Sequence, residues 1–274
     1  MPGIQNLIET ALVEDIGSGD ITTDNLISPG DKGKGVIIAK EQLVIAGIHI
    51  AYQVFDTLEE DIFFKASASD GDFLSPGDVV AEIEGRLCTL LKGERTALNF
   101  LQRLSGIATH VKSFADLLEN KNVRLVDTRK TIPGWRVLEK YAVRVGGAFN
   151  HRTGLFDGVL IKDNHIKACG GIGKAVSEIR KNVSHLVKIE VEVTHEKEVK
   201  EALDAGADVI MLDNMDLREI RKSVKLIDGR AVVEVSGMVT KKELLPLSET
   251  GVDIISAGAL THSAKAVDLS MRIL

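Results

Sequence analysis

The segment between positions 127 and 167 concentrates side chains that can bind an anion. It contains eight lysine and arginine residues against four acidic residues, in a chain whose formal net charge is −6. Glycines and apolar residues separate these cations, as in buried strands and tight turns, whereas a solvated helix face would carry a regular mixture of lysine and glutamate. We therefore expect the segment to surround an anionic ligand.

A second group of polar residues recurs at the ends of predicted strands. Glu192, Asp213, Ser236 and Ser256 follow one another at intervals of 21, 23 and 20 residues. Intervals near 20 residues are typical of one strand plus one helix in a barrel, where active sites form at the carboxyl ends of the strands. In IEVEV, the two-residue alternation puts Glu190 on the same face as Glu192. We expect that face to line the mouth of a barrel.

The first hundred residues follow a different pattern. Apolar runs predict strands within 34–47, a helix over 46–58 and two strands around a Pro-Gly turn within 70–85. Between about 92 and 120 the spacing is helical, with a break expected at Gly106. These elements predict a mixed, partly antiparallel α+β domain.

The whole chain is thus predicted to be of the α/β class. We expect an N-terminal α+β domain over 1–108, followed by an incomplete or distorted (β/α) barrel over 109–262. A helix over 263–274 is a candidate additional member of the N-terminal domain.

Composition excludes several classes of protein. The chain has 274 residues, 44% of them hydrophobic and 27% charged, which is ordinary for a globular protein. A pI near 5.7 argues against a nucleic-acid partner. The first residues carry acids where a signal peptide has a basic start, and no apolar run is long enough to span a membrane. Cys88 and Cys169 lack metal-site spacing and fit a reducing compartment. We therefore expect a cytoplasmic protein without a membrane partner.

Six blocks resemble those of quinolinate phosphoribosyltransferases, in the same order: DTRKTIPGWR, NHRTGL, LIKDNH, IEVEV, IMLDN and SAGA. The similarity also includes EDIGSGDITT at 14–23 and ERTALNFLQRLSGIAT at 94–109, so it covers nearly the whole chain. Members of this family join quinolinate to phosphoribosyl pyrophosphate and release pyrophosphate and carbon dioxide. The resemblance implies that this chain makes nicotinate mononucleotide in de novo NAD biosynthesis.

The same resemblance assigns the residues that bind quinolinate. Arg129, His151 and Arg152 would hold its two carboxylates, with Thr128 beside them. Arg95 would reach the site from the partner subunit of a homodimer, which could assemble further. From sequence alone, Arg95 could equally form a surface salt bridge, and His151 could be a hydrogen-bonded core imidazole.

Further residues would bind the second substrate. Lys130 and Lys162 would lie where the carboxylate meets the pyrophosphate, and Glu192 and Asp213 would bind the ribose hydroxyls and Mg²⁺. The alternative for the two acids is capping of the helices that follow them. The ribose 5-phosphate would be bound by residues of the last two barrel loops, Ser236, Gly237, Ala257 and Gly258. His165 would orient Lys162, and His262 would lie near a phosphate.

Three rival functions remain open at this stage. One is a related phosphoribosyltransferase acting on nicotinate or another heterocyclic acid, as in the molybdenum-locus relatives of the family. Another is a barrel lyase that forms a Schiff base at Lys162, which the neighbouring arginines argue against. The third is a non-catalytic sensor of anionic metabolites.

Overall fold

The computed structural model describes residues 3–119 and 121–274, which form two compact units. Unit 1 contains residues 3–112, 144–146 and 264–274. Unit 2 contains the described residues of 113–143 and 147–263. Within these described ranges, no helix has the length and apolar character needed to cross a bilayer.

Unit 1 combines helices with short antiparallel sheets. Its helices are α1 (Ile4–Ile16), α2 (Thr23–Leu26), α3 (Ile48–Leu58) and α4 (Leu87–Ala115), the last of which ends three residues into unit 2. Its first five strands are β1 (Lys32–Ala39), β2 (Leu43–Val44), β3 (Phe63–Ala66), β4 (Phe73–Leu74) and β5 (Val79–Arg86). Strands β1 and β3 both pair with β5, while β2 pairs with β4. The mixed α+β character predicted for this part of the chain is confirmed.

One local expectation for unit 1 was confirmed and one was wrong. Strands β4 and β5 flank the expected Pro-Gly turn, and they pair with different strands. Helix α4, however, runs through Gly106 without a break. A Cβ atom at Gly106 would lie 2.0 Å from the carbonyl oxygen of Lys265. The glycine therefore marks a close approach of two backbones, which sequence alone cannot distinguish from a helix end.

Unit 2 alternates strands with helices. Its strands are β6 (Arg124–Val126), β7 (Val159–Ile161), β8 (Ile189–Val193), β9 (Val209–Asp213), β10 (Val232–Ser236) and β11 (Ile254–Ser256). Its helices are α5 (Arg136–Val145), α6 (Asp163–Cys169), α7 (Ile172–Asn182), α8 (Glu196–Asp204), α9 (Leu217–Ile227), α10 (Lys241–Ser248) and α11 (Ala259–His262), with a 3₁₀ turn at Asp116–Leu118.

The six strands of unit 2 form one parallel sheet in the order β6-β11-β10-β9-β8-β7. Among the described residues, β6 and β7 remain at opposite edges, and an isolated bridge joins Val126 to Phe149 beside β6. This arrangement confirms the predicted incomplete barrel.

Local sequence signals fix the loops at the carboxyl ends of these strands. Asp216 accepts hydrogen bonds from the amides of Arg218 and Glu219, and Glu219 accepts one from the amide of Asp216. The pair forms a capping box that starts α9 just after β9. Thr240 and Glu243 form the equivalent box at the start of α10, just after β10. Both loops are thereby held at the strand ends where the polar residues occur.

The C-terminal segment forms a strand and not the expected helix. Strand β12 (Leu269–Ile273) pairs antiparallel with β1, in a register that places Gly35 opposite Ile273. The resulting sheet has the order β12-β1-β5-β3. In this segment, Leu269 and Met271 are buried and alternate with more exposed residues. That two-residue period was present in the sequence and should have indicated a strand.

Candidate active site

The carboxyl ends of the unit 2 strands surround a cavity of about 460 Å³, a size typical of small-molecule sites. All the residues that line it belong to unit 2. They include most residues singled out from the sequence: Thr128, Arg129, Lys130, His151, Arg152, Lys162, Glu192, Asp213, Ser236, Gly237 and Gly258. The remaining lining residues are Leu160, Met211, Asn214, Glu234, Met238 and Ser256.

The loop after β6 supplies the first pair of cations. Thr128 Oγ1 accepts a hydrogen bond from the amide of Lys130, and Thr261 Oγ1 donates one of 2.7 Å to the carbonyl of Lys130. These contacts fix the backbone, while the side chains of Arg129 and Lys130 remain exposed at the cavity. This exposed segment therefore lines the cavity.

The segment that contains Arg152 is ordered by the carboxylate of Asp157. Asp157 accepts hydrogen bonds from the amides of Thr153 and Gly154, and Arg152 Nη1 donates one of 2.9 Å to the carbonyl of Gly158. Burial, followed by the nearby charge of Arg129, lowers the pKa of Arg152, which stays charged at neutral pH. An anion bound between the two guanidinium groups would relieve their repulsion.

Lys162 and Glu192 form an ion pair across β7 and β8. Lys162 Nζ lies 3.1 Å from Glu192 Oε2, and about half of the lysine side chain is exposed. His165 Nδ1 accepts a hydrogen bond of 2.9 Å from the amide of Lys162. His165 thus fixes the backbone that carries Lys162, and it does not line the cavity.

Asp213 is oriented by a neighbour that the sequence analysis did not single out. Asn214 Nδ2 donates a hydrogen bond of 2.8 Å to Asp213 Oδ2, and the amide of Asn214 donates to the carbonyl of Ser236. A Cβ atom at Gly237 would lie 2.7 Å from Asn214 Oδ1, and Gly237 has a φ of +138°. Gly237 therefore makes room for the side chain that holds Asp213.

The last two loops contribute unequally to the cavity. Ser236 and Gly237 line it after β10, and Ser256 and Gly258 line it after β11. Ala257 is fully buried and does not line the cavity. Its amide donates a hydrogen bond to the carbonyl of Val126 in β6, so it is committed to the sheet.

His151 lines the cavity and lies next to two buried acids, Glu190 and Glu234. Its Nε2 lies 3.2 Å from Glu190 Oε2 and 3.6 Å from Glu234 Oε1. Burial opposes a charge on the ring, but the hydrogen bond with Glu190 and the charge of Glu234 raise the pKa of His151. Its Nδ1 accepts a hydrogen bond of 2.8 Å from the amide of Arg152. Both ring nitrogens thus have protein partners, which is the hydrogen-bonded imidazole left open as an alternative.

A buried ion pair supports the backbone of His151. Lys140 Nζ contacts Asp127 Oδ1 at 2.5 Å and donates a hydrogen bond of 2.9 Å to the carbonyl of His151. Asp127 also accepts hydrogen bonds from the amide of His151 and from Asn150 Nδ2. Burial, which outweighs these partners, raises the pKa of Asp127. The ion pair therefore fixes both backbone polar groups of His151, its amide through Asp127 and its carbonyl through Lys140.

Five residues that the sequence analysis placed at or near the site do not line the cavity: His165, Ala257, Glu190, Arg95 and His262. Arg95 is on α4 in unit 1, where its side chain is exposed and has no ion pair with any residue in 3–119 or 121–274. The intrachain salt bridge proposed as its alternative is therefore absent from the described residues. His262 is exposed on α11, where its Nδ1 lies 2.9 Å from Ser263 Oγ.

Sequence analysis missed Glu234, Asn214 and the Asp127–Lys140 pair. A signal for Glu234 was available, because VVEVS puts Glu234 on the same face as Ser236, just as IEVEV puts Glu190 with Glu192. The buried lysine had no such signal. Lys140 lies in RVLEKYAVRV, whose charged residues are typical of an exposed helix.

The cavity therefore combines two opposite kinds of charge. Four cations, Arg129, Lys130, Arg152 and Lys162, can bind carboxylate or phosphate groups. Glu192 and Asp213, from the adjacent strands β8 and β9, offer oxygen atoms of the kind that Mg²⁺ prefers. Two carboxylates are too few for a complete protein cage but suit a Mg²⁺ ion that also binds water and substrate phosphates.

Comparisons with known proteins identify the family of the chain. The model of the N-terminal domain of quinolinate phosphoribosyl transferase matches residues 20–105, and that of its C-terminal domain matches residues 107–272. A probable nicotinate-nucleotide pyrophosphorylase (carboxylating) from Bacillus subtilis is 44% identical over 271 residues, covering 98% of this chain and 93% of the relative. One from Methanocaldococcus jannaschii is 45% identical over 276 residues, covering 97% and 96%.

A solved structure supports the same assignment. The crystal structure of NadC from Streptococcus pyogenes superimposes with a TM-score of 0.95 at 40% sequence identity, covering 99% of this chain and 96% of that one. Similarity of this extent includes every strand that contributes to the cavity. The chain belongs to the quinolinate phosphoribosyltransferase family.

Proposed function

We propose that the chain transfers the phosphoribosyl group of phosphoribosyl pyrophosphate to quinolinate and removes a carboxylate, giving nicotinate mononucleotide, pyrophosphate and carbon dioxide. This reaction is the one that its family catalyses, and it is a step of de novo NAD biosynthesis. The observation that carries the proposal is the cavity itself, where four cations occur together with the carboxylates of Glu192 and Asp213 at the strand ends. A dicarboxylate beside a phosphorylated sugar requires that combination.

Quinolinate would bind on the side of Arg129 and Arg152. Each guanidinium presents a planar fork of donors to one carboxylate, and the bound dianion would offset the repulsion between the two arginines. Thr128 would shape this side through its contact with the amide of Lys130. His151 would act through the floor of the cavity, because its two ring nitrogens already have protein partners.

Phosphoribosyl pyrophosphate would bind on the side of the acids. Glu192 and Asp213 would bind the ribose hydroxyls, and Lys130 and Lys162 would contact the pyrophosphate. The 5-phosphate would lie against Ser236, Gly237 and Gly258, where backbone amides and a helix amino terminus are close. The side chain of Ala257 would not touch it, since Ala257 is buried in the sheet.

Catalysis would depend on positioning and electrostatics. The pyridine nitrogen attacks C1 of the ribose as the bond from C1 to pyrophosphate breaks, and the two lysines neutralise the leaving group. Glu192 and Asp213 favour the positive charge that grows on C1. The nitrogen is then quaternary, and its positive charge stabilises the electron pair that remains on C2 when carbon dioxide departs, after which C2 takes up a proton from solvent.

We propose Mg²⁺ as the metal ion of this site. Glu192 and Asp213 would hold it together with water and pyrophosphate oxygens, and bound Mg²⁺ neutralises charge on the departing pyrophosphate. Among the described residues these two acids lie on neighbouring strands at one cavity, which suits shared binding.

The first test is a direct assay. The purified chain should release carbon dioxide and form nicotinate mononucleotide when it receives quinolinate, phosphoribosyl pyrophosphate and Mg²⁺, and chelation of the metal should stop the reaction. Nicotinate in place of quinolinate separates this function from its related alternative. Turnover of nicotinate without turnover of quinolinate would contradict the proposal.

We also propose that the working protein is a homodimer, with Arg95 of one subunit completing the site of the other. The exposed guanidinium of Arg95 has no intrachain ion pair among the described residues and is free to meet an anion in the second copy.

A cytoplasmic location is consistent with the free thiols of Cys88 and Cys169.

Subunit mixing tests the shared site. Arg95→Ala and Arg152→Ala should each lower activity at low quinolinate concentration by about 10- to 150-fold, because hydrogen bonds to charged groups contribute about 1.5–3 kcal/mol. Heterodimers of the two variants contain one doubly altered site and one intact site. Random mixing should therefore restore about a quarter of wild-type activity.

Controls for this experiment are the unmixed variants, each dissociated and reassembled alone. They should show no recovery. Mixed dimers that stay as inactive as the two variants would place Arg95 outside the partner's site.

A further inference from the structure

Two buried acids beside His151, Glu190 and Glu234, lie so close together that their negative charges would repel each other unless one of them carries a proton. Glu190 and Glu234 are 7% and 2% exposed, and one oxygen of each, Oε1, is buried and lacks a donor among the described residues. Together with His151 Nε2, one oxygen of each lies within a span of 4.8 Å. Two ionised carboxylates so close in a buried site would repel each other strongly.

His151 can supply only one proton to this cluster. Its Nδ1 accepts the hydrogen bond from the amide of Arg152, so the ring proton lies on Nε2 and points to Glu190 Oε2. A second ring proton, on Nδ1, would break the contact with Arg152. Once one of the two acids is neutral, only one negative charge remains to favour that second ring proton. The missing proton is therefore best placed on a carboxyl group.

The surrounding charges do not replace it. Lys140 approaches His151, but its ammonium group is already paired with Asp127. The guanidinium of Arg152 attracts Glu190, and it is not among the groups that most affect the pKa of Glu234. The other inward side chains at this level are apolar or neutral: Leu160 on β7, Met211 on β9 and Ser256 on β11. Glu234 is the more buried acid and has no cationic side chain beside it other than His151.

We propose that Glu234 is a positioning residue that must carry a proton when the anionic pyridine substrate binds, so that substrate binding draws one proton from solution. The neutral acid donates a hydrogen bond to Glu190 and removes one negative charge from beneath the bound carboxylates. This inference rests on the proposed function for the identity of the substrate. It concerns a residue that the reaction scheme above does not use.

The expected pH dependence follows from the state of the free protein. Burial, and then the negative charge of Glu190, raises the pKa of Glu234 to about 7. Below that pH the acid already carries its proton, and binding should be independent of pH. Above it, each bound substrate must bring a proton with it, so the affinity should fall by up to about tenfold per pH unit. The substrate carboxylates do not titrate in this range, because ordinary carboxyl groups ionise near pH 4.

Calorimetric titration of the full chain with quinolinate measures this uptake directly. Titrations between pH 6.0 and 8.5, in HEPES and in Tris, give the number of protons taken up from the difference in heat between the buffers. We expect an uptake near zero at pH 6 that approaches one proton above pH 8. Glu234→Gln keeps the shape and a donor to Glu190 but cannot ionise, so its affinity should be independent of pH and its uptake should vanish.

The matched control is Glu249→Gln, which makes the same change in charge at an exposed carboxylate on the surface of unit 2. It should reproduce the wild-type uptake. A wild-type affinity that stays constant from pH 6.0 to 8.5, or an uptake that persists in Glu234→Gln, would overturn the proposal. So would a divalent metal ion that copurifies with the wild-type chain in equal amount and is lost in Glu234→Gln, since the cluster would then bind metal.

An arm without substrate separates this inference from the proposed function. Infrared spectra of the ligand-free chain should contain a protonated-carboxyl band at pH 6 that disappears by pH 8.5 and is absent from Glu234→Gln at both. Absence of that band from the wild type would refute the neutral acid. If the band is present but the chain binds nicotinate and not quinolinate, the proposed function fails, and the proton uptake is then decided with nicotinate.

Discussion

Replacement of Lys140 by methionine is expected to lower the free energy of unfolding by about 3–5 kcal/mol. Lys140 is 4% exposed, and Asp127, its partner, is completely buried. Methionine retains most of the apolar stem but leaves the carboxylate without its cation. Asp127 would keep only the donors of Asn150 and His151.

The loss should depend on pH. Burial already raises the pKa of Asp127, and removal of Lys140 would raise it further. A group whose pKa is raised in the folded state destabilises the fold above that pKa and ceases to do so as the pH falls through it. The variant should therefore recover part of its stability in acid. Asp127→Asn combined with Lys140→Met should recover part of it at neutral pH.

Urea unfolding followed by the fluorescence of Trp135 measures this effect. Trp135 is the single tryptophan of the chain and belongs to unit 2, close in sequence to Lys140. The matched control is Lys181→Met, which removes an exposed pair with Glu178 and should cost about 0–1 kcal/mol. Equal losses in the two variants would mean that the buried pair adds nothing beyond a surface pair.

Asp213→Asn is expected to lower kcat by about 100- to 1,000-fold, the usual loss when one preorganised electrostatic group is removed from a reacting centre. The amide preserves the size of the side chain but removes the negative charge opposite C1 of the ribose. Affinity for quinolinate should change little, because the arginines that would bind it lie on other loops. The variant should also require more Mg²⁺ for half-maximal rate.

Steady-state kinetics at several Mg²⁺ concentrations, combined with quinolinate titrations, separate these effects. Asp204→Asn is the control, since it removes one exposed carboxylate at the end of α8, before β9 begins. It should retain wild-type kinetics. An unchanged kcat in Asp213→Asn would exclude the proposed role of that carboxylate in transfer.

Periodicity was sufficient to predict the last four parallel strands of unit 2, β8 to β11, and their polar ends. Glu192 and Asp213 lie where the two-residue alternation and the regular interval placed them. The same rule applied to VVEVS would have found Glu234, so that omission was one of application. Recognition of the family added Arg129, Lys130, Arg152 and Lys162 as a set, and these side chains do line one cavity.

Other features depend on tertiary contacts that no local pattern encodes. Helix α4 continues through Gly106, where the lack of a side chain leaves room for the backbone at Lys265. No local sequence pattern indicates that close approach. The orientation of the His151 ring depends on the amide of Arg152 and on two acids from distant strands. The burial of Lys140 depends on Asp127, 13 positions earlier in the chain.

The pairing of β12 with β1 affects how the protein is made. The ribosome makes β1 before unit 2 and β12 after it, so the edge of β1 that pairs with β12 stays unpaired until unit 2 has been synthesised. An unpaired strand edge is open to pairing with other chains. Unit 2, which is encoded between these two strands, has all its residues available before that sheet can be completed. The sheet whose first strand precedes unit 2 can therefore be completed only after unit 2 has been synthesised.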